Sequence, residues 1–124
     1  MNMKFLVTGA AGFIGMNTCL KLLNNNHSVI GIDNVNNYYS KNLKLSRLKL
    51  LKKFKKFKFF KIDINNKNSI KKIFNRFPVT HVIHLAAQAG VRYSIKNPSI
   101  YTQTNLNGTF NILELSKEKK IKHL

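Results

Sequence analysis

The sequence predicts an α/β fold, a doubly wound parallel sheet. Three observations carry that expectation. Hydrophobic periodicity switches repeatedly between strand-like and helix-like runs along the chain. A glycine-rich turn separates the first strand-like run from the first helical one. The chain has only two aspartates, Asp33 and Asp63, and both fall at the carboxyl ends of strand-like runs. That is the edge where open parallel sheets bind ligands. With 124 residues there is room for one domain and one core. Strand and helix alternating throughout imply right-handed crossovers and a sheet covered on both faces. The expected strand order is 3-2-1-4-5, with the first strand central.

The elements follow in order. Residues 4–8 form a short apolar run ending in glycine, a buried strand. Phe13, Met16, Leu20 and Leu23 recur at helical spacing, and the asparagines at 24–26 close that helix. Residues 29–32 read as the second strand. Residues 43–54 read as an amphipathic helix with Leu48, Leu51 and Phe54 close to one face, and residues 57–64 as the third strand. Ile70, Ile73, Phe74 and Phe77 fit one helical face, stopped by Pro78. Residues 81–85 are the fourth strand. After a loop, Asn97-Pro98 reads as an N-cap followed by proline at the first helical position. A helix to about Lys119 follows, with Tyr101, Gly108, Ile112 and Leu115 facing inward. Residues 121–124 then begin a fifth strand. No internal repeat, linker or domain boundary interrupts the pattern.

Composition narrows the function classes. Hydrophobic residues make up 44%, which excludes wholesale disorder. No apolar stretch reaches the ~18 residues of a membrane span. The one cysteine, Cys19, has no partner for an internal disulfide, and no Cys/His cluster is spaced for a metal. The run from Met3 to Met16 is apolar, but Lys4 is its only basic residue and glycines punctuate it. It is read as a folded strand and helix of a cytoplasmic protein. The formal charge is +18, from 22 basic and 4 acidic residues. Such a surplus suits a nucleic-acid binder. Lysine supplies nearly all of it, however, with only Arg47, Arg76 and Arg92 as arginines. A surface selected for nucleic acid favours arginine's bidentate contacts. The surplus is therefore attributed to an AT-rich coding bias, and no specific nucleic-acid partner is expected.

The segment from Thr8 to Gly15 carries glycines at G-x-x-G-x-x-G spacing between the first strand and the first helix. Gly9 permits the tight turn, Gly12 lets a pyrophosphate approach the backbone, and Gly15 lets the helix lie close. The helix N-terminus then offers free N–H groups and a favourable dipole to phosphate. Asp33, 18 residues after Gly15, is placed to accept the ribose hydroxyls of an adenosine and to repel a 2′-phosphate. This points to a Rossmann-type site for NAD over NADP.

Taken together, Thr8 to Gly15 with Asp33-Asn34, Ile62-Asp63-Ile64, His84-Leu85-Ala86-Ala87 and Asn105-x-x-Gly108-Thr109 resemble the extended short-chain dehydrogenase/reductase family, which includes nucleotide-sugar epimerases and dehydratases. Within it, Asn37-Tyr38-Tyr39, Asn42-Leu43-Lys44 with Arg47-Leu48, and the run from Ala87 to Ile95 with Asn97-Pro98 are most similar to UDP-glucuronate 4-epimerases. The dTDP-glucose dehydratases usually carry a Ser-His-Val-Asp type run in that last segment. A 4,6-dehydratase is the alternative reading, and a basic nucleic-acid-binding α/β module a more distant one.

The resemblance implies roles. Phe13 and Ile14 would give backbone contacts to the pyrophosphate. Asp33, Asn34 and Asn37 would hold the adenosine ribose, and Asp63 and Ile64 would border the adenine. Leu85, Ala86 and Ala87 would line the passage towards the nicotinamide, and Asn105 would face the cofactor pocket. Arg92, read as lying in the loop beyond the fourth strand, is either a contact for an anionic sugar group or a solvated arginine.

The family's epimerases oxidise the sugar at C4 with tightly held NAD and return the hydride to the other face. Their base is a tyrosine with a lysine four residues later, beside a Ser or Thr. Here Tyr38, Tyr39, Tyr93 and Tyr101 are followed at that spacing by Asn42, Leu43, Asn97 and Asn105. No catalytic residue is therefore assigned. Residues 1–124 are expected to be an incomplete NAD-binding domain, either a fragment or a truncated gene product. The UDP-sugar substrate, and any homodimer, would belong to a full-length form.

Overall fold

The computed structural model describes residues 2–124. Strands β1 (Lys4–Thr8), β2 (Ser28–Asp33), β3 (Phe57–Lys61) and β4 (His81–His84) form one sheet in the order β3-β2-β1-β4. All three pairings are parallel. Helices α1 (Phe13–Asn24), α2 (Lys41–Leu51) and α3 (Lys67–Arg76) supply the crossovers. Beyond β4 come α4 (Val91–Lys96), α5 (Pro98–Tyr101), a π-helical stretch (Thr102–Gly108) and α6 (Thr109–Glu118).

Period-two alternation sends successive residues of each strand to opposite faces, and each face has its own core. Phe5, Val7 and Val29 pack with Cys19 and Leu23 of α1 and Leu48 and Leu51 of α2. Leu6, Ile30 and Ile32 pack with Ile70, Ile73 and Phe74 of α3 and Ile112 and Leu115 of α6. The doubly wound architecture thus follows from strands apolar on both sides.

Several expectations need correction. The inner face of α1 is Gly15, Cys19 and Leu23, whereas Phe13 is 69% exposed. Phe13 stands at the first helical position, beside the glycine turn, and shares the outer face of α1 with Asn17 and Lys21. The second helix ends at Leu51, so Phe54 lies in the turn after it, and β3 ends at Lys61. Residues 91–96, read as loop, are helix α4, so Arg92 is a helical residue. Asn97 precedes the helix as expected, but its side chain caps nothing. The fifth strand is present only as an isolated parallel bridge between His81 and His123. Lys122 N–H donates to the Thr80 carbonyl at 2.9 Å, and Val82 N–H to the His123 carbonyl at 3.0 Å. These contacts lie on the outer side of β4, where an order of 3-2-1-4-5 puts them.

Candidate functional site

A cleft opens at the carboxyl ends of the strands, where the crossovers on either side of β1 diverge. Its floor is the glycine turn. Gly9 adopts φ +72°, a left-handed conformation that favours glycine. A Cβ there would also stand 2.9 Å from the Ala86 backbone nitrogen. At Gly15 a Cβ would collide with the carbonyl of Gly9, so this glycine lets α1 begin directly beneath the turn. Helix α1 starts without a side-chain cap, and its first ladder bond runs from Met16 N–H to the Gly12 carbonyl at 2.9 Å. The N–H groups of Phe13, Ile14 and Gly15 therefore have no intrahelical acceptor. That is the anion-binding arrangement of a helix N-terminus.

Asp33, only 9% exposed, joins this turn to the end of β2. Its Oδ2 accepts from Ala11 N–H at 3.1 Å and its Oδ1 from Val35 N–H at 2.8 Å. A carboxylate has about four lone-pair positions. Each oxygen thus keeps a position for a further donor such as a ribose hydroxyl. A carboxylate so placed can accept from a hydroxyl and itself repels a phosphate.

Of the residues singled out from sequence, Gly9, Gly12, Asp33, Asn34, Asp63, Ile64, Leu85, Ala86 and Ala87 line this one cleft. Phe13 and Ile14 are not among the lining residues; they begin α1 just after Gly12, and their largely exposed side chains lie on the outer face of the helix with Asn17, Thr18 and Lys21. Three others are placed differently. Asn36 lines the cleft, and its neighbour Asn37 is exposed outside the lining. Asn105 turns its amide to the Gln88 backbone, accepting Gln88 N–H at 2.7 Å and donating to the Gln88 carbonyl at 3.0 Å. Both ends of that amide are engaged by the loop after β4, and Thr104 lines the cleft instead. Arg92 is exposed on α4, apart from the lining residues.

Sequence reasoning missed the cationic wall. Lys44 is 5% exposed, donates to Asn36 Oδ1 at 2.8 Å and lies 4.7 Å from the Tyr39 ring centroid. Burial pushes its pKa below the usual lysine value, against the pull of the Asp33 carboxylate. Arg47 donates to the Ala11 carbonyl at 3.2 Å and to the Tyr39 hydroxyl at 2.9 Å, holding the turn from the other side. The available signal was the spacing of Lys44, Leu48 and Leu51 on one face of α2. It is inconspicuous in a chain with 22 basic residues.

The order β3-β2-β1-β4, the glycine turn between β1 and α1 and the carboxylate ending β2 define a Rossmann-type nucleotide-binding domain. Residues 6–123 match the family described as GDP-mannose 4,6 dehydratase, and the chain belongs to that family. Among curated relatives it is 48% identical over 120 residues to a UDP-glucuronate 4-epimerase of Thermodesulfobacterium geofontis (strain OPF15). That alignment covers 97% of this chain and 37% of the relative. UDP-glucuronate 4-epimerase 2 of Arabidopsis thaliana is 47% identical over 112 residues, which is 90% of this chain and 26% of that one. The UDP-glucuronic acid 4-epimerase of Bacillus cereus, solved with UDP-glucuronic acid and NAD, superposes with a TM-score of 0.85 at 38% identity. It covers 93% of this chain and 36% of that structure. The chain thus spans little more than a third of the first of these relatives.

Proposed function

We propose that this chain is the NAD-binding, amino-terminal part of a nucleotide-sugar 4-epimerase acting on UDP-glucuronate. The observation that carries the cofactor reading is Asp33, bonded to the glycine turn through Ala11 N–H while keeping acceptor positions over the cleft. The uncapped start of α1 would meet the pyrophosphate. Asp33 and Asn34 would hold the adenosine ribose, Asp63 and Ile64 would flank the adenine, and Leu85 to Ala87 would border the nicotinamide arm. When bound, NAD would take up and return the sugar's C4 hydride. This chain's residues would bind and orient it and would leave the proton chemistry to other residues. Arg92 is proposed as a contact for the anionic sugar. Similarity to UDP-glucuronate 4-epimerases favours an epimerase over a dehydratase. The domain is read as incomplete and its setting as cytoplasmic. Among the described residues, no helix is long and apolar enough to cross a membrane.

Calorimetric titration tests the cofactor reading. NAD is expected to bind more tightly than NADP. Asp33→Ala should cost about 1.5–3 kcal/mol of binding, the range for hydrogen bonds to a charged group. Gly12→Val should abolish binding by filling the space over the turn. Equal affinity for NAD and NADP would overturn the Asp33 argument. Turnover is the second test. No tyrosine here has a lysine four residues on, and general acid–base catalysis is typically worth ~10²–10⁴-fold. NMR should therefore detect no interconversion of UDP-glucuronate and UDP-galacturonate by this chain with NAD. Turnover abolished by His84→Ala would reassign the site.

A further inference from the structure

The strongest unexplained feature is a partly buried polar contact between β1, β4 and α6. Thr8 is fully buried. Its hydroxyl oxygen lies 3.0 Å from both Leu85 N and Ala86 N, the first residues past the end of β4. The same oxygen is 2.6 Å from His84 Nδ1. On the far side of the ring, His84 Nε2 is 2.9 Å from Thr109 Oγ1.

Counting donors fixes the protons. A threonine hydroxyl has one proton and two acceptor lone pairs. The two N–H groups of Leu85 and Ala86 occupy both lone pairs. Nδ1 is the one acceptor within reach of the hydroxyl proton, so the arrangement that satisfies every group leaves Nδ1 as an acceptor without a hydrogen. The neutral ring's proton is on Nε2 and donates to Thr109. Leu85 N–H has a second acceptor, the Thr8 carbonyl at 3.3 Å, whereas Ala86 N–H depends on the hydroxyl.

We propose that Thr8, His84 and Thr109 form a pin that seats Leu85 and Ala86 against Gly9, and that protonation of His84 releases it and loosens the cleft. A proton on Nδ1 would face the Thr8 O–H donor to donor. The hydroxyl could then accept from the ring only by giving up Leu85 or Ala86. These are positioning residues, and the inference rests on the dinucleotide reading above. Burial lowers the pKa of His84 from its usual 6.5, with no charged neighbour contributing. The charge on β1 is Lys4, at the strand's other end, and β4's other titratable residue is His81, also at that end. Helix α6 presents Thr109, with its first acid, Glu114, five residues further on. His123 is the other titratable side chain lining the space beside His84. Because the folded pKa is depressed, the pin's contribution is complete above the ordinary histidine range and is lost as pH falls through the folded value.

The experiment uses the purified, isotope-labelled chain. Nitrogen NMR of the imidazole should find Nε2 protonated and Nδ1 bare at neutral pH. Once corrected for intrinsic exchange, the Ala86 amide should exchange faster as His84 titrates. Thr8→Val should speed Ala86 exchange by about tenfold, the equivalent of ~1.4 kcal/mol. Leu85, with its second acceptor, should change less, and Ile30 in β2 should not change. Thr8→Ser should restore Ala86. NAD affinity, by calorimetry, should fall over the same pH step. A protonated Nδ1 at neutral pH, or equal Ala86 protection in wild type and Thr8→Val, would overturn the pin. A flat NAD affinity while His84 titrates would overturn its coupling to the cleft. Absence of NAD binding at every pH, with ring and amide as expected, would overturn the dinucleotide reading and leave the pin standing.

Discussion

Asp33 was legible in the sequence because aspartate is scarce here and this one ends a strand. Its backbone contacts were not, since Ala11 N–H approaches only once β1 and β2 have paired. Those contacts make Asp33 structural as well. Asp33→Ala should lower the urea midpoint in addition to weakening NAD binding, by about 1–3 kcal/mol for backbone N–H groups left without an acceptor. The glycines also separate by their surroundings. Alanine at Gly12 would place its Cβ 3.2 Å from the Gly9 carbonyl oxygen, a tight contact, whereas at Gly15 it would overlap that carbonyl outright. Alanine favours helix over glycine by about 1 kcal/mol, but overpacking costs typically ~1–3 kcal/mol. Gly15→Ala should therefore destabilise the fold more than Gly12→Ala, as denaturant unfolding would measure. Cys19 offers a third test. Buried on the inner face of α1, its thiol is pushed up to about 12 by desolvation. A thiol reagent near pH 8 should modify it only at the rate at which the chain opens.

At the scale of elements, legibility follows the range of the causes. Strands β1, β2 and β4 and helix α3 were readable because their periodicity is local. Helix α3 is also capped locally, by Asn66 accepting Ser69 N–H at 3.1 Å. Asn66→Ala should cost about 1 kcal/mol in a thermal or urea melt. The π-helical stretch was not readable. The contacts it makes are tertiary: Asn105 bonds the Gln88 backbone, and Gly108 passes so close to the Ile64 side chain that a Cβ would overlap it. Nothing in Thr-Gln-Thr-Asn-Leu-Asn-Gly announces a wider turn. Such stretches are frequent at functional sites, and this one holds the loop that borders the cleft. Asn105→Ala should free that loop, seen as faster amide exchange at Gln88. Helix α4 was missed for a related reason. It is short, none of its residues is buried, and its outer side chains Val91 and Ile95 are about four-fifths exposed, so no inward stripe marks it.

For the whole molecule, two layers of helix on a parallel sheet were readable from alternation alone, and the cleft's position followed from the topology. The consequence of the +18 charge was not readable, because charge counts carry no positions. Among the described residues one ion pair forms, Lys71 with Glu118 at 3.4 Å, and both side chains are about half exposed. Exposed pairs contribute ~0–1 kcal/mol, so repulsion among the lysines is largely uncompensated. Melting temperature should rise with added salt, since the Debye length shortens to ~10 Å at 0.1 M. Those lysines also sit where the sheet is most vulnerable. Strand β3 is bonded only to β2, and Lys58 and Lys61 project from opposite faces of its outer margin. A second copy docking there would bring like charges into register, which is how natural sheets discourage growth from an open edge. Replacing both lysines with glutamine should increase light scattering on concentration relative to the unsubstituted chain. The lysines of that edge, unlike Lys44 and Arg47 beside the cleft, would then act as the barrier that keeps this sheet from templating its own aggregation.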